Sequence, residues 1–595
     1  MKIRTKIEIG IIVSLMLITS IHSVFGDITI TDNSITDDTF GKIIDFDSDY
    51  IDIANISLSS NISLGNIFLS EPSGSTSGYW NGSSPYISNS NGKTWVYTQE
   101  NIKSAIIETN ATGGGTIWIP DGYIDYDLDN KIYLNGTKSI EIIGCANTEF
   151  KSETTPFSGI EDFIYGNNCE NITIRNIFFN NSANTGANYD GIYILNSKYI
   201  NIYDCSFENC YGSCISYFDV KNGNIENNVM YRNHAYGVRL KDNCSNIKIT
   251  KNTILNTTGS ANCIHVDDES DHCIVSNNYL EKWSDGGITF GSGSSHGVIE
   301  GNILNNTDGS GTCGIYVDNG ASGGYVANTE YITITGNEMY MTTLKLSRCD
   351  HVTVSNNIVN DSNGQSITIT NCNGLIDGNH FNNITGINIG EGCSEVIISN
   401  NKFIKTINKA ILLSGQTGNG LNNITIDNNI FKDNNKTSPD QGTILITGYA
   451  AGVRNVSITN NKFIGQMTGD YRPSASVYCS GAYDGIYIAD NMFLEQYSWT
   501  VIVGSTGIIL GQNIVGDKQL FFEYGHTDEV DDTNTITHHI YGTPDIVLVS
   551  TNRSVIAGVT SIDADTFTMS IKEHDGSAAS NLTVYWFAKR YNTIK

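Results

Sequence analysis

A short pattern of hydrophobic and polar positions recurs through the middle of this chain. It reads isoleucine or valine, two variable residues, asparagine, one variable residue and a hydrophobic residue, as in Ile249–Ile254 and Ile458–Phe463. Period-two runs such as Ile172–Ile174 surround it, and such alternation predicts β-strands with one buried face. The recurring asparagines, 20 to 35 residues apart, are Asn228, Asn252, Asn278, Asn302, Asn337, Asn357, Asn379, Asn401, Asn429, Asn461, Asn491 and Asn513.

Each repeated unit holds three short strands and no helical pattern, so it cannot bury its hydrophobic face alone. The units must therefore stack on one another as the coils of a solenoid. Stacked asparagines at a tight turn can bond to each other and to adjacent coils as a ladder, and Asn tolerates the left-handed backbone of such turns. We expect Cys145, Ile177 and Cys205 to occupy the same slot upstream, which gives about fifteen coils.

The start of the repeat has its own signature. Residues Thr98 to Thr109 predict a short amphipathic helix, and a Gly-Gly-Gly-Thr-Ile-Trp-Ile-Pro-Asp-Gly stretch follows at 113–122. With the asparagine ladder, these motifs resemble those of the right-handed parallel β-helix proteins, the pectate lyase-like group, over residues 98–516. The resemblance implies an all-β fold: a right-handed parallel β-helix of about fifteen coils with small β-rich modules at both ends. It does not specify chemistry, because this fold hosts many functions.

Four segments are predicted. Residues 1–26, with three basic residues before an apolar run, have the layout of a signal peptide, with an uncleaved anchor as the alternative. Residues 27–97 form an N-terminal β-rich module or arm, and residues 98–516 form the β-helix. Residues 517–595 look like the β-sandwich modules that end many tailspike-like proteins, which implies a role in attachment or in a homotrimer. No other segment is apolar enough to span a membrane.

Charge narrows the range of partners. The chain carries 34 Lys and Arg against 62 Asp and Glu, a formal net charge of −28, which disfavours nucleic-acid binding. The same negative charge also disfavours the binding of acidic glycans unless a bound cation or a local basic patch offsets it. Asn-x-Ser/Thr sequons, including Asn171 and Asn256, suit a secreted or cell-surface glycoprotein.

Thirteen cysteines permit disulfides in an exported chain. Cys349, Cys372 and Cys393 fall on consecutive coils, about 5 Å apart, which is within disulfide range. They equally suit small residues buried in a tight turn, and the sequence leaves both interpretations open. No His/Cys cluster has metal-ligand spacing, and no residue is assigned as a metal ligand.

The strand after the ladder turn is the candidate site, because inward Ile, Val or Leu alternate there with an outward residue. We expect aromatic, acidic and basic groups to share this face, as sugar binding and acid–base chemistry require. The exposed row is predicted to be Tyr193, Ser216, Arg239, His265, Thr289, Tyr316 and Lys345. At the strand ends beside it we expect Asp190, His234, Lys241, Asp267, Asp268, Asp285 and Asp318.

Two enzyme families of this fold provide a comparison. Polygalacturonase-like glycosidases carry N-T-D-G, D-D-C and G-H-G on successive coils. The stretches here that look similar, at 188–191, 212–214 and 235–237, keep only Asp190 as a carboxylate and have Tyr236 where the family has His, so that mechanism does not transfer. A pectate-lyase mechanism needs a basic residue and bridging calcium, for which Arg239, Asp267 and Asp268 are the nearest set.

Other metal patterns are incomplete. The Asp-x-Asp-x-Asp runs at 45–49 and 125–129 lack the glycine and glutamate of an EF-hand loop. The asparagine phrase also resembles β-helix proteins named for periplasmic copper binding, but the dispersed His and Met residues define no copper site. Calcium therefore enters only as the ion that the lyase alternative requires.

Three functions follow. The first is a secreted or surface protein that binds polysaccharide or surface partners along the exposed sheet without catalysis. The second is a polysaccharide lyase or glycoside hydrolase, and the third is a trimeric tailspike-like adhesin. In the enzymatic alternative the catalytic candidates are Asp190, Arg239, His265 and Asp267. The substrate-binding candidates are Tyr193, His234, Lys241, Asp268, Tyr316, Asp318 and Lys345.

Overall fold

The structure of the chain is a computed structural model that divides into two units, Met1–Trp80 and Asn81–Lys595. The segment predicted as a signal peptide lies outside the described residues. The described residues are 28–30, 34–37, 41–45, 52–53, 86–125, 131–152, 162–181, 190–259, 261–307, 311, 313–320, 329–362, 364–415, 420–434, 442–465, 475–494, 499–503, 508–515, 518–530, 533–537, 546–551, 556–562, 566–572 and 582–593.

The first unit contains a four-stranded antiparallel sheet, in which each strand pairs with the next along the chain. Its strands are Ile28–Ile30, Ser34–Asp37, Gly41–Asp45 and Asp52–Ile53.

The second unit begins with an antiparallel pair, Tyr86–Asn89 and Thr94–Val96, followed by helix α1, Gln99–Ala111. The predicted helix is thus present, shifted by one residue at its start because Thr98 is its N-cap and accepts a hydrogen bond from the Asn101 backbone N–H. A β-carbon at Gly114 would overlap the Ser139 backbone, so the glycine run lets the first coil approach the next.

Each coil of the second unit contributes to three parallel sheets, called sheets 1, 2 and 3 in chain order. In one coil the strand Ile192–Tyr203 runs through sheet 1 and then sheet 2, and Ser206–Glu208 belongs to sheet 3. The next coil repeats this with Ile215–Glu226 and Val229–Tyr231, in parallel register. This architecture confirms the predicted right-handed parallel β-helix.

The coils continue along the chain in the same three sheets. Sheet 1 contains Ile132–Tyr133, Ile164–Asn167, the first parts of Ile192–Tyr203 and Ile215–Glu226, Val238–Lys241, Ile264–Val266, Gly286–Gly291, Cys313–Asp318, Leu344–Ser347, Ile367–Thr370, Ile387–Ile389, Ile411–Gly415, the first parts of Gly442–Thr459 and Ala475–Ala489, and Trp499–Val503. Sheet 2 contains Gly115–Ile119, Lys138–Gly144, Glu170–Arg175, the later parts of the four long strands, Ser245–Thr250, Ile274–Ser276, Val298–Glu300, Thr333–Thr335, Val352–Ser355, Gly374–Asp377, Val396–Ser399, Leu421–Asp427 and Ile508–Leu510. Sheet 3 contains Gly122–Asp125, Thr148–Lys151, Phe178–Asn180, Ser206–Glu208, Val229–Tyr231, Thr253–Thr257, Tyr279–Trp283, Ile303–Asn305, Glu338–Tyr340, Ile358–Asn360, His380–Asn382, Lys402–Ile404, Ile430–Lys432, Lys462–Ile464, Met492–Leu494 and Asn513–Val515. A short extra pair, Thr329–Glu330 and Cys349–Asp350, lies before sheet 2.

The predicted asparagine ladder lies between sheets 2 and 3. The Asn228 backbone N–H and side-chain amide both donate to Asn252 Oδ1 at 3.0 Å, and the same amide donates to the Ile202 carbonyl at 3.0 Å. This pattern repeats coil by coil to Asn513. The ladder therefore satisfies buried polar groups that the sharp turn would otherwise leave without partners.

Two of the three upstream ladder assignments agree with the structure, and one was wrong. The Cys205 backbone N–H donates to Asn228 Oδ1, and Ile177 lies one coil earlier in the same register. Cys145 does not occupy the slot, because Glu149 pairs with Phe178 and this register puts Thr148 opposite Ile177. The turn is three residues longer there, and the Thr148 hydroxyl makes the ladder-like bond to the Ile119 carbonyl.

Beyond the ladder, the chain continues with antiparallel strands. Asn513–Val515 pairs antiparallel with Lys518–Val530, which pairs with Leu582–Thr593 and through it with Ile546–Thr551. A separate three-stranded sheet contains Thr533–Thr537, Thr566–Lys572 and Ile556–Ile562. Within the part of the chain that the structure describes, no helix is long and apolar enough to cross a membrane.

Candidate functional site

The outward positions of sheet 1 form one continuous row. Tyr193 pairs with Ser216, Ser216 with Arg239, and Arg239 with His265. The register continues through Thr289 and Tyr316 to Lys345, and upstream it adds Tyr165 and Tyr133. Inward neighbours such as Ile192 and Ile194 are fully buried, so local alternation decides which side chains face outward.

The row is less uniformly exposed than predicted. Ser216 is fully buried and Thr289 is 6% exposed. Tyr193 on the preceding coil and Phe218 on the same strand flank Ser216, and their rings stack with centroids 4.9 Å apart. Exposure on this face is therefore decided by the neighbours as well as by strand alternation.

Aromatic rings line the upstream half of the row. The rings of Tyr165 and Tyr193 are stacked, with centroids 5.7 Å apart and planes 3° apart, and Tyr193 stacks in turn on Phe218. Tyr133 meets Tyr165 edge-on at 5.8 Å. We call Tyr133, Tyr165, Tyr193 and Phe218 the aromatic strip. The ring faces of Tyr165, Tyr193 and Phe218 that meet in these stacks are covered by one another.

Cations lie at both ends of the aromatic strip. Lys131 Nζ lies 4.9 Å from the Tyr165 ring centroid. The Arg239 guanidinium lies 5.3 Å from the Phe218 ring and 5.1 Å from the Tyr236 ring. These cation–π contacts fix two positive groups on a chain that is strongly negative overall.

Asp162 and Asp190 lie where two successive coils enter sheet 1. Asp162 Oδ1 accepts a hydrogen bond from the Asp190 backbone N–H at 3.3 Å, and Lys131 Nζ lies 3.6 Å from its other oxygen. Burial, and then the charge of Asp190, raise the pKa of Asp162 to about 7. Burial also raises the pKa of Asp190, against hydrogen bonds from Ser216 and Ser213 and the charge of Arg239.

His265 and Asp267 form a polar pair one coil beyond Arg239. His265 Nε2 lies 3.3 Å from Asp267 Oδ2, and its Nδ1 lies 3.1 Å from the Asn262 amide nitrogen. Burial would raise the pKa of Asp267, but the hydrogen bond and charge of His265 and a hydrogen bond from Ser292 lower it overall. Both imidazole nitrogens are therefore engaged within the protein.

Two further acidic candidates, Asp268 and Asp318, are paired with cations. Lys241 Nζ lies 2.9 Å from Asp268 Oδ2. Asp318 accepts two hydrogen bonds from Arg348 Nη2, at 2.8 and 2.9 Å, and one from the Tyr316 hydroxyl at 2.6 Å. Asp267 is thus engaged by His265 and Asp268 by Lys241. This pair therefore offers no open set of oxygen ligands of the kind that calcium prefers.

The predicted residues divide into separate groups. His265 pairs with Asp267, and Tyr236 contacts both Arg239 and His265. Asp190 precedes the strand Ile192–Tyr203, whereas Asp267 follows the strand Ile264–Val266, so the two carboxylates lie at opposite edges of sheet 1. Tyr316, Asp318 and Lys345 form a downstream group, in which Lys345 Nζ lies 4.8 Å from the Tyr316 ring.

His234 does not belong to the row. It stacks on Tyr211 with ring centroids 4.0 Å apart, in a separate cleft of about 560 Å³. The other residues that line this cleft are Asn209, Cys210, Tyr231, Arg232, Asn256 and Thr258.

Sequence reasoning missed several members of the face. Asp162 and Tyr165 precede Asp190 and Tyr193 by one coil, and both pairs share an Asp-x-Ile-Tyr phrase that aligning the two coils would have found. Phe218 and Lys131 had no signal of this kind, since their contacts with the row depend on side-chain packing.

The family can be stated from this architecture and from sequence comparison together. Residues 128–280, 249–403 and 313–493 match the family described as the right handed beta helix region. The chain belongs to this family. The overlapping matches span residues 128–493 of this β-helix protein, which is more than half of its 595 residues. No curated protein matches it.

Solved structures resemble this β-helix protein at low identity. A tailspike mutant of the E. coli bacteriophage HK620, in complex with a pentasaccharide, is 12% identical, with 84% of this chain and 92% of the tailspike covered and a TM-score of 0.43. The A-module of the Azotobacter vinelandii mannuronan C-5 epimerase AlgE6 is 12% identical, with 70% and 94% covered and a TM-score of 0.31. At this level the likeness identifies no ligand or reaction for the chain.

Proposed function

We propose that this β-helix protein binds an extended polysaccharide along the outward face of sheet 1. The observation that supports the proposal is the continuous row from Tyr133 to Lys345, to which each coil contributes one polar, aromatic or charged residue. Successive coils are about 4.8 Å apart, so the face offers regularly spaced contacts to a regularly repeating polymer.

The kind of contact follows from the packing of the strip. Stacking covers the ring faces that meet, so the tyrosine hydroxyls of Tyr133, Tyr165 and Tyr193 are the groups that would bond to sugar hydroxyls. The cations over the rings, Lys131, Arg239 and Lys345, offer sites for acidic groups on the polymer. They supply the local positive charge that a chain of net charge −28 needs in order to bind an acidic glycan.

The location and assembly of the protein belong to the same proposal. The basic and apolar segment at residues 1–26 and the sequons support export to the cell surface or the medium. The antiparallel strands after residue 517 are the candidate for attachment or for a homotrimer. Light scattering on the full chain tests the trimer, and a monomer at high concentration contradicts it.

The binding proposal is tested with immobilised neutral and acidic polysaccharides and the purified chain. Tyr165→Ala and Tyr193→Ala should each weaken binding about tenfold, as expected for lost central contacts. Tyr123→Ala is the matched control, because Tyr123 is 64% exposed on sheet 3 and lies outside the row. Equal effects of the three substitutions, or no binding by the unaltered chain, would contradict the proposal.

A catalytic function on the same polymer is the second candidate. Arg239 lies over Tyr236, and Tyr236 meets His265 edge-on at 4.9 Å, so a phenol, a guanidinium and an imidazole share one patch. Such groups can move a proton and stabilise a carboxylate. His265 would have to release Asn262 or Asp267 before acting as a base, because both its nitrogens are engaged.

Product masses separate binding from catalysis. The purified chain is incubated with acidic and neutral polysaccharides, with and without calcium. Fragments with an unsaturated end indicate a lyase, saturated fragments a hydrolase, and intact polymer supports binding alone. If fragments form, Arg239→Ala and Asp267→Asn should reduce the rate, and an unchanged rate would remove these residues from the catalytic assignment.

A further inference from the structure

A second group of functional side chains lies away from the sheet 1 row, at the turn that leads into sheet 2. There, His272, His296, Tyr331 and His351 project from successive coils and stack. Their ring centroids are 4.7, 5.1 and 4.7 Å apart in that order, with planes within 17° of parallel. We call these four residues the ring column. All four have left-handed backbone conformations, with φ between 49° and 56°.

Asp271 joins the first two members of the ring column. Its Oδ2 lies 2.6 Å from His272 Nδ1, and its Oδ1 lies 3.0 Å from His296 Nδ1. The Ser295 hydroxyl donates to the same Oδ1 at 2.8 Å, which fixes the carboxylate between the two imidazoles. Hence one carboxylate and two histidines, from two coils, converge on one point.

We propose that Asp271, His272 and His296 form a binding site for a transition-metal ion of the zinc or copper class. One donor atom from each residue lies within 4.8 Å of the others, and this is the one such group within the described part of the chain. Two imidazoles and a carboxylate match the ligand preference of Zn²⁺ and Cu²⁺, whereas Ca²⁺ and Mg²⁺ prefer oxygen ligands alone.

The surroundings favour a cation. The imidazoles of His272 and His296 are about half exposed, which leaves room for the small rotation that closes three ligands on an ion and for water as a fourth ligand. The net charge of −28 adds long-range attraction.

The turns that carry Asp271, His272 and His296 hold these three side chains close together before any ion binds. The parallel pairing of Asp271 with Ser295 holds the two turns in register. Because His272 and His296 occupy the same position of adjacent turns, their spacing is set by the coil repeat and not by a flexible loop. A site of this kind needs no helix, no loop insertion and no contact with the polysaccharide face.

The test is calorimetric titration of the full chain, purified without an affinity tag, with Zn²⁺, Cu²⁺ and Ca²⁺. Asp271→Asn, His272→Asn and His296→Asn should each weaken Zn²⁺ binding at least about tenfold. Asn tolerates the left-handed backbone at the two histidines. The matched control is His351→Asn, in the same column and the same backbone conformation but away from Asp271, and it should keep the affinity of the unaltered chain.

Copper spectroscopy on the unaltered chain tests the proposal even if a variant fails to fold. The electron paramagnetic resonance spectrum of the unaltered chain with one equivalent of Cu²⁺ should show coupling to imidazole nitrogens. The proposal is overturned if neither Zn²⁺ nor Cu²⁺ binds, if no nitrogen coupling appears, or if His351→Asn weakens binding as much as His272→Asn. Calcium affinity equal to that for zinc would also overturn it.

Discussion

Asp162 and Asp190 make the same contact on successive coils. Asp162 accepts a hydrogen bond from the backbone N–H of Asp190, and Asp190 accepts one from the backbone N–H of Ser213 on the following coil, at 2.5 Å. Each carboxylate therefore caps the entry of the next coil into sheet 1. This gives Asp190, a catalytic candidate from the sequence, a structural role that needs no substrate.

The raised pKa of Asp162 predicts a pH-dependent stability. In the folded chain the carboxyl is protonated up to about pH 7 because burial and the charge of Asp190 disfavour its ionisation, whereas an unfolded aspartate ionises near pH 4. The folded state thus binds the extra proton between these values, so this group's contribution to stability falls as pH rises from about 4 to 7. Asp162→Asn, which can still accept the Asp190 N–H, should flatten that part of the curve.

Chemical unfolding from pH 4 to pH 8 measures this effect. The control is Asp204→Asn, an exchange of the same kind at a turn residue outside sheet 1. A slope that is equally steep in the Asp162→Asn variant and in the unaltered chain would contradict the assignment.

The asparagine ladder should contribute strongly to stability. The Asn337 side-chain amide donates to Asn357 Oδ1 and to the Ile299 carbonyl, both at 2.9 Å in a buried turn. Asn337→Ala removes the amide donor to both acceptors and the Oδ1 that accepts from the Asn302 backbone N–H and side-chain amide, and it should destabilise the chain by about 3 kcal/mol. Asn356→Gly is the control, because Asn356 is exposed with φ of 54°, a conformation that glycine adopts freely. Comparable unfolding midpoints for the two variants would count against the ladder.

Arg239 should govern the response to acidic polymers. Its guanidinium is held between the rings of Phe218 and Tyr236, so Arg239→Gln removes a fixed positive charge from the row. Affinity for an acidic polysaccharide should fall, and its dependence on salt should weaken, while affinity for a neutral one changes little. Lys248→Gln makes the same charge change at an exposed position of sheet 2. If Lys248→Gln lowers the affinity for the acidic polysaccharide as much as Arg239→Gln does, then net charge and not the row determines binding.

Cys349 and Cys372 should form a disulfide under oxidising conditions. Their sulfur atoms lie 3.0 Å apart in a buried turn, and the hydrogen bond with Cys372, together with burial, raises the pKa of Cys349. With glutathione disulfide as oxidant, the two thiols lose their hydrogens to give two glutathione thiols and one intramolecular bond. Intact mass should fall by about 2 Da. Cys393→Ser should retain the change and Cys372→Ser should lose it, and an unchanged mass of the unaltered chain contradicts the pairing.

The sequence by itself determined the repeat and which residues of each sheet 1 strand face outward. The position of Asn252 and its equivalents was readable because the ladder needs one residue type at one point of each coil, and strand alternation gave the outward row that contains Arg239 and His265. Both signals are local, since each depends on residues close together along the chain.

The tertiary structure decided which side chains meet across coils. Coils differ in length, so Thr148 and not Cys145 takes the ladder slot, and residues some 24 positions apart, such as His272 and His296, come into contact. Burial of Ser216, the capping role of Asp190 and the separation of His234 from the row likewise depend on neighbours contributed by other coils. In a solenoid, the local pattern fixes the coil, and the stacking of coils of unequal length fixes the site.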